Sequence, residues 1–175
     1  HIKISMIMNP KVSIIMGSTS DLSVMEKACK FLDDMKIPFE VNALSAHRTP
    51  DAVEKFAKNA ASRGVQVIIA GAGMAAALPG VVAASTHLPV IGVPIKGMLD
   101  GLDALLSIVQ MPPGIPVATV GVNGALNAAI LATEMLALSD TEIQARMIEY
   151  KNGLGEKIEK ANKELADIKY TYKTN

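Results

Sequence analysis

Short apolar runs alternate with helically spaced ones along most of the chain. Val12-Ser13-Ile14-Ile15-Met16 is a strand-like run ended by Gly17. Residues 39–44 form a weaker one, and Val65-Gln66-Val67-Ile68-Ile69-Ala70 forms a third, ended by Gly71. Val90-Ile91-Gly92-Val93 and Val117-Ala118-Thr119-Val120 complete a set of five. The first, third and fifth runs are nearly continuous rather than alternating, which predicts parallel strands buried on both faces.

Helical patterns fill the gaps. Residues 21–35 carry Leu22, Met25, Cys29 and Leu32 as an apolar stripe. Residues 50–63 open with Thr49 as a candidate N-cap and Pro50 at the first helical position. Residues 79–86, 102–109 and 123–138 supply three more. Strand–helix alternation of this kind predicts an α/β fold, a doubly wound sandwich with right-handed crossovers. From residue 139 onward the chain becomes rich in Glu and Lys, with Ile143, Met147, Tyr150, Leu154, Ile158, Ala161, Leu165 and Ile168 spaced by fours and threes. That is a narrow helical seam, with Gly153 and Gly155 allowing a kink or a division into two helices. The chain thus reads as one α/β domain over 11–138, extended by a helical segment of the same domain over 139–170. Residues 1–10 form an N-terminal segment that lacks an initiator Met and reads as partly added for expression.

A chain of 175 residues is the length of one ordinary domain. Half of its residues are hydrophobic and 19% are charged, which excludes bulk disorder and suggests that other subunits cover part of the surface. Lys+Arg and Asp+Glu both number 17, so there is no positive surplus for binding a nucleic-acid backbone. Aromatic residues are 3% and Trp is absent, which removes stacking platforms for single strands. The lone cysteine, Cys29, forms no intrachain disulfide and reads as a small buried hydrophobe. The three histidines are scattered without ligand spacing, so no metal site is expected. No apolar run reaches the length of a membrane span, and a cytoplasmic location is the default.

In doubly wound sheets ligands bind at the carboxyl ends of the strands, so the residues there carry the chemistry. After the first strand come Gly17-Ser18-Thr19-Ser20-Asp21, either a cradle for a phosphate at a helix start or simple capping by Ser20 or Asp21. Asp21 could also accept hydrogen bonds from ribose hydroxyls. After the second come Ser45-Ala46-His47-Arg48-Thr49-Pro50. There an imidazole suited to moving protons near neutrality stands beside a guanidinium fork that matches a phosphate or carboxylate. These two could equally be ordinary surface residues. After the third come Gly71-Ala72-Gly73-Met74-Ala75-Ala76-Ala77-Leu78-Pro79-Gly80, a small-residue loop that lets backbone approach a ligand or a helix pack tightly. Pro112-Pro113-Gly114-Ile115-Pro116 is a rigid turn, and His87 reads as structural.

These segments, together with Ser107-Ile108-Val109-Gln110-Met111-Pro112, occur in one order with particular gaps. In that order they resemble the bacterial-type (class I) N5-carboxyaminoimidazole ribonucleotide mutases of purine biosynthesis, over roughly residues 11–150. The resemblance implies a flavodoxin-like three-layer α/β/α sandwich, assembled as a homo-octamer with sites between subunits, and neither metal nor organic cofactor. It implies phosphate and ribose contacts at Ser18, Ser20, Asp21, Ser45 and Arg48. Ala46, Ala72, Gly73 and Leu78 complete the substrate-binding set, with the 71–73 loop against the imidazole and carboxylate. His47 is the implied catalytic acid/base. The implied reaction moves a carboxylate from the exocyclic nitrogen of an aminoimidazole ribonucleotide to ring carbon C4. The carbamate loses CO2, a dry pocket holds the gas, C4 attacks it, and His47 relays the proton. One histidine suffices because the net proton change is zero.

Three positions depart from the family pattern: Ala77 stands at its usual histidine, Met74 at a usual glycine, and Leu22 at a common aromatic residue. The Ala77 departure bears on activity class. A second class of the family, which carboxylates the aminoimidazole ribonucleotide directly with CO2, differs most in this loop. A non-catalytic nucleotide- or flavin-binding module on the same fold is the third reading; it leaves the His47-Arg48 pair unexplained.

Overall fold

A computed structural model describes residues 8–175. Most of the N-terminal segment read from the sequence, residues 1–7, lies outside the described residues. The chain divides into two compact units, one ending at Met135 and the other running from Leu136 to Asn175.

The first unit is built on a five-stranded parallel sheet of order β2-β1-β3-β4-β5. Its strands are β1 (Val12–Met16), β2 (Phe39–Ala43), β3 (Val67–Gly73), β4 (Val90–Ile95) and β5 (Ala118–Thr119). Helices α1 (Leu22–Asp34), α2 (Pro50–Asn59), α3 (Leu78–Ala84) and α4 (Leu102–Val109) connect them, and α5 (Ala125–Ala137) follows β5. With helices on both faces this is the flavodoxin-like sandwich, whose strand order reverses between β1 and β3. Parallel pairing exists only because helical crossovers return the chain to the same edge, and they bury both faces of the central strands. Accordingly β1 and β4 are buried along their whole length.

One face packs against α2, α3 and α4 in a single core that includes Ile15, Val53, Ile68, Ala70, Val82, Ala104 and Ile108. The opposite face receives α1 through Met25, Ala28, Phe31 and Leu32. The predicted stripe is thus rotated: Leu22 is exposed and Cys29 only half-buried. Burial still pushes the Cys29 thiol above its ordinary pKa, so the thiolate is disfavoured. Ser13, a fully buried polar residue of β1, donates its hydroxyl to Glu40 Oε1 at 2.9 Å. Arg63 forks onto both oxygens of that carboxylate at 2.7 Å. The Arg63 hydrogen bond holds Glu40 below the usual carboxylate range.

Several boundaries differ from the sequence reading. The third strand does not stop at Gly71. Gly71, Ala72 and Gly73 continue the ladder opposite Val93, Pro94 and Ile95, because residues this small leave strand pairing undisturbed. The predicted 50–63 helix splits into α2 and a 3-10 turn, Ala61–Arg63, which Gly64 closes at φ 96°. Thr49 makes no capping bond to α2. Likewise Asp21 does not cap α1, and Ser18 instead caps the 3-10 turn Thr19–Asp21 that precedes it.

In the second unit α6 (Thr141–Asp167) is one helix. Asp140 caps it by accepting from the backbone N–H groups of Glu142 and Ile143 at 3.1 Å. Gly153 and Gly155 do not divide it; each costs about 1 kcal/mol against Ala, which a helix of 27 residues tolerates. The apolar seam is buried at Ile143 and Met147 and exposed at Leu154, Ile158, Leu165 and Ile168.

Close packing at β4 generates a test. A Cβ on Gly92 would lie 2.3 Å from Ile108 Cγ2 and 3.1 Å from Val117 Cγ1. Gly92→Ala is expected to lower unfolding free energy by about 1–3 kcal/mol in urea titrations. Adding Ile108→Leu, which removes the Cγ2 methyl at nearly constant volume, should restore part of it. An unchanged midpoint would show that α4 shifts without cost.

Candidate active site

The carboxyl ends of β1, β2, β3 and β4 open into one cavity of about 700 Å³. Its volume falls in the range of small-molecule sites. Every residue expected from the resemblance to act in catalysis or substrate binding lines it: Ser18, Ser20, Asp21, Ser45, Ala46, His47, Arg48, Ala72, Gly73 and Leu78; the 107–116 segment does not. The topology explains the convergence. β1 and β3 are adjacent in the sheet, but their following segments leave toward opposite faces, and a crevice opens between them.

The β1 segment is self-organised. Ser18 Oγ accepts from the Ser20 backbone N–H at 3.3 Å and from the Ser20 hydroxyl at 3.0 Å. The Asp21 backbone N–H donates to Ser18 O at 3.1 Å, tightening the 3-10 turn. The β2 segment closes on itself through Thr49. Its Oγ1 accepts from the Ser45 N–H at 3.0 Å and donates to Ser45 O at 3.1 Å. Thr49 is therefore the clasp of the turn that carries His47, rather than the cap assigned from its position before Pro50.

Arg48 ties the two segments together. Its backbone N–H donates to Ser45 Oγ at 3.1 Å, and its Nη2 donates to Gly17 O at 2.9 Å. The guanidinium is thereby held over the end of β1 with donors left for an anion. Asp21 faces the same space. Burial raises its carboxyl above the ordinary range, while a backbone hydrogen bond at Ser18 and the Arg48 charge pull it partway back. His47 is exposed on the rim.

The floor is Ala72 and Gly73 at the end of β3, followed by Met74, Ala75, Ala76, Ala77 and Leu78. A Cβ on Gly73 would lie 3.2 Å from Ile95 O, so a side chain there would have to push the β4 backbone back by a few tenths of an ångström. Met74 adopts φ 53°, a left-handed conformation that favours glycine. Ala77 contributes only a methyl group. Sequence reasoning missed the fourth wall, Ile95, Lys96, Gly97 and Met98. The apolar pattern of the fourth run ends at Val93, whereas β4 continues to Ile95 and puts Lys96 directly after it. Pro94 interrupts the apolar pattern there but not the pairing. Among the described residues no group of three or more His, Cys, Asp or Glu side chains could hold a metal ion.

Comparison with known proteins bears on what such a site serves. The family model described as AIR carboxylase matches residues 11–157. The chain belongs to the AIR carboxylase family. Within it, the chain is 58% identical to the N5-carboxyaminoimidazole ribonucleotide mutase of Pyrococcus abyssi, over 83% of this chain and 84% of that one. It is also 54% identical to a phosphoribosylaminoimidazole carboxylase of Candida glabrata, over 92% of this chain but 28% of the longer fungal protein. Among solved structures, Treponema denticola PurE superposes with a TM-score of 0.81 at 31% identity, covering 89% of this chain and 98% of that one. In this AIR carboxylase family member the whole cavity lies inside the matched region.

The partly buried Asp21 carboxyl predicts a cost in stability. Asp21 holds its proton more tightly folded than unfolded, so folding stability declines as pH rises from about 3.9 through the raised value. At neutral pH that cost is fully present. Asp21→Asn should therefore be slightly more stable than the parent in thermal unfolding at pH 7. The gain should vanish below about pH 4. A variant less stable at pH 7 would refute the desolvation account.

Proposed function

We propose that this protein is an isomerase that converts N5-carboxyaminoimidazole ribonucleotide to 4-carboxy-5-aminoimidazole ribonucleotide in purine biosynthesis. The observation that carries the reading is the convergence of His47 and Arg48 with the Ser18–Asp21 turn over a floor of Gly and Ala. In this reading Ser18, Ser20, Ser45 and Arg48 hold the phosphate, and Asp21 accepts from the ribose hydroxyls. Ala46, Ala72, Gly73 and Leu78 lie against the aminoimidazole.

The chemistry asks little of the protein and much of the pocket. Breaking the N–CO2 bond leaves the electron pair on nitrogen and releases CO2. C4 then attacks CO2, and the proton it loses travels to the nitrogen. His47, on a clasped turn at the rim, is the relay, accepting at C4 and donating at nitrogen. CO2 is neutral and small, so its retention depends on closely packed walls that offer no competing nucleophile. The methyl and glycine surface from Ala72 to Ala77 meets that need. No step calls for a metal or an organic cofactor.

A second reading, direct carboxylation of the aminoimidazole ribonucleotide by CO2, is favoured by Ala77 and by the name of the fungal relative. The protein is further proposed to act in the cytoplasm as a homo-octamer with shared sites. Leu102, Leu106 and Val109 on α4 support assembly, because they form an exposed apolar stripe at spacings of four and three. Among the described residues no helix is long and apolar enough to cross a membrane.

Purified protein is expected to turn over the carbamate without ATP, biotin or added metal. Faster turnover of bicarbonate with the uncarboxylated ribonucleotide would select the second reading, and turnover of neither would remove both. His47→Asn should lower kcat at least about a hundredfold and leave ribonucleotide affinity within threefold. Equal loss of both would make His47 a binding residue. Arg48→Ala should weaken binding about tenfold or more with a smaller effect on kcat. Light scattering should report a mass several times that of one chain.

A further inference from the structure

Arg48 and Lys96 both line the cavity, and they reach it from different strand ends. The Arg48 guanidinium sits over the end of β1, where it donates to Gly17 O at 2.9 Å. Lys96 directly follows β4. β3 lies between these strands, so the two positions are two strand spacings apart, about 10 Å. The floor between them, Ala72, Gly73 and Ala76 to Leu78, carries no charge. A cation at each end of a neutral floor fits a ligand with an anion at each end.

The backbone at Lys96 is fixed, while its side chain is not. Asn123, at φ 58°, donates its backbone N–H to Pro94 O at 2.8 Å. Its Oδ1 accepts from the Lys96 N–H at 2.9 Å, so one residue ties down two backbone groups on one edge of the end of β4. The amine meets Asp100 Oδ1 at 3.4 Å, with both side chains largely exposed. Such a pair is held weakly, and a substrate carboxylate can take the place of Asp100.

We propose that Lys96 is a substrate-binding residue that holds the migrating carboxylate, both on the exocyclic nitrogen and on C4. This rests on the mutase reading above, in which the Ser18–Asp21 turn and Arg48 are occupied by the phosphate end and His47 by the proton. The ammonium adds a charge-assisted hydrogen bond to the carboxylate. Lys96 then makes the site discriminate carboxylated from uncarboxylated ribonucleotides, a preference that Arg48 does not supply.

Calorimetric titration of 5-aminoimidazole ribonucleotide and its 4-carboxylate into the parent, Lys96→Gln, Lys96→Arg and Arg48→Ala tests this. Lys96→Gln should weaken the 4-carboxylate at least about tenfold and leave the uncarboxylated ribonucleotide within twofold. Lys96→Arg should keep most of the difference, and Arg48→Ala should weaken both ligands alike. If Lys96→Gln weakens both equally, or neither, the proposal is overturned while the mutase reading stands. If the parent binds neither ribonucleotide, both are overturned.

Discussion

The architecture depends on how little room remains where the sheet meets its helices at the carboxyl end of β3. A Cβ on Gly71 would reach within 2.5 Å of Met25 Sδ, and one on Gly73 within 3.2 Å of Ile95 O. Across β4, Gly92 admits Ile108 just as closely. These contacts draw α1 and α4 onto the sheet and leave the strand ends flat. The same absence of side chains that allows close packing creates the cavity floor, so core and site share one steric requirement.

Polar chemistry enters from the rim. Each polar side chain that lines the cavity rides on a segment just past a strand, and the segments after β1 and β2 are closed by their own hydrogen bonds. Ser18 gathers Ser20, Thr49 clasps Ser45, and Arg48 reaches across to Gly17. Preorganisation of this kind lowers the cost of ordering side chains around a ligand. It also explains why a formal net charge of zero is compatible with anion binding. A single phosphate needs one guanidinium and a few donors in a partly enclosed space, whereas a basic surface serves a polymer. The partly desolvated Asp21 carboxyl represents the opposite exchange, a group whose desolvation opposes stability where a ribose could use it.

Much of the fold was legible because burial on both faces writes itself as nearly unbroken apolar runs, although the fifth run, read the same way, forms only the two partly exposed residues of β5. Val12–Met16 needed nothing beyond that rule. The rule failed where composition and conformation part company. Gly71 to Gly73 reads as a loop in any propensity scale, yet it pairs with β4 because its neighbour supplies the register. Thr49 looks like a cap because Pro50 follows it, but its hydroxyl found a nearer partner in Ser45. Cys29 and Leu22 fit a helical stripe by spacing, but the sheet receives Ala28 and Phe31 instead, about a quarter-turn away. Lys96 escaped notice because Pro94 masks the end of its strand.

The sequence by itself determined the strand–helix alternation, the parallel class and the set of polar residues after each strand. Those properties are local, since period, length and residue type are written in consecutive positions. Tertiary structure alone decided that β1 and β3 would be neighbours, that Arg48 would close over Gly17, and that Lys96 would face the same space from β4. Residues 31 positions apart meet there because strand order, rather than sequence distance, sets which loops share a crevice.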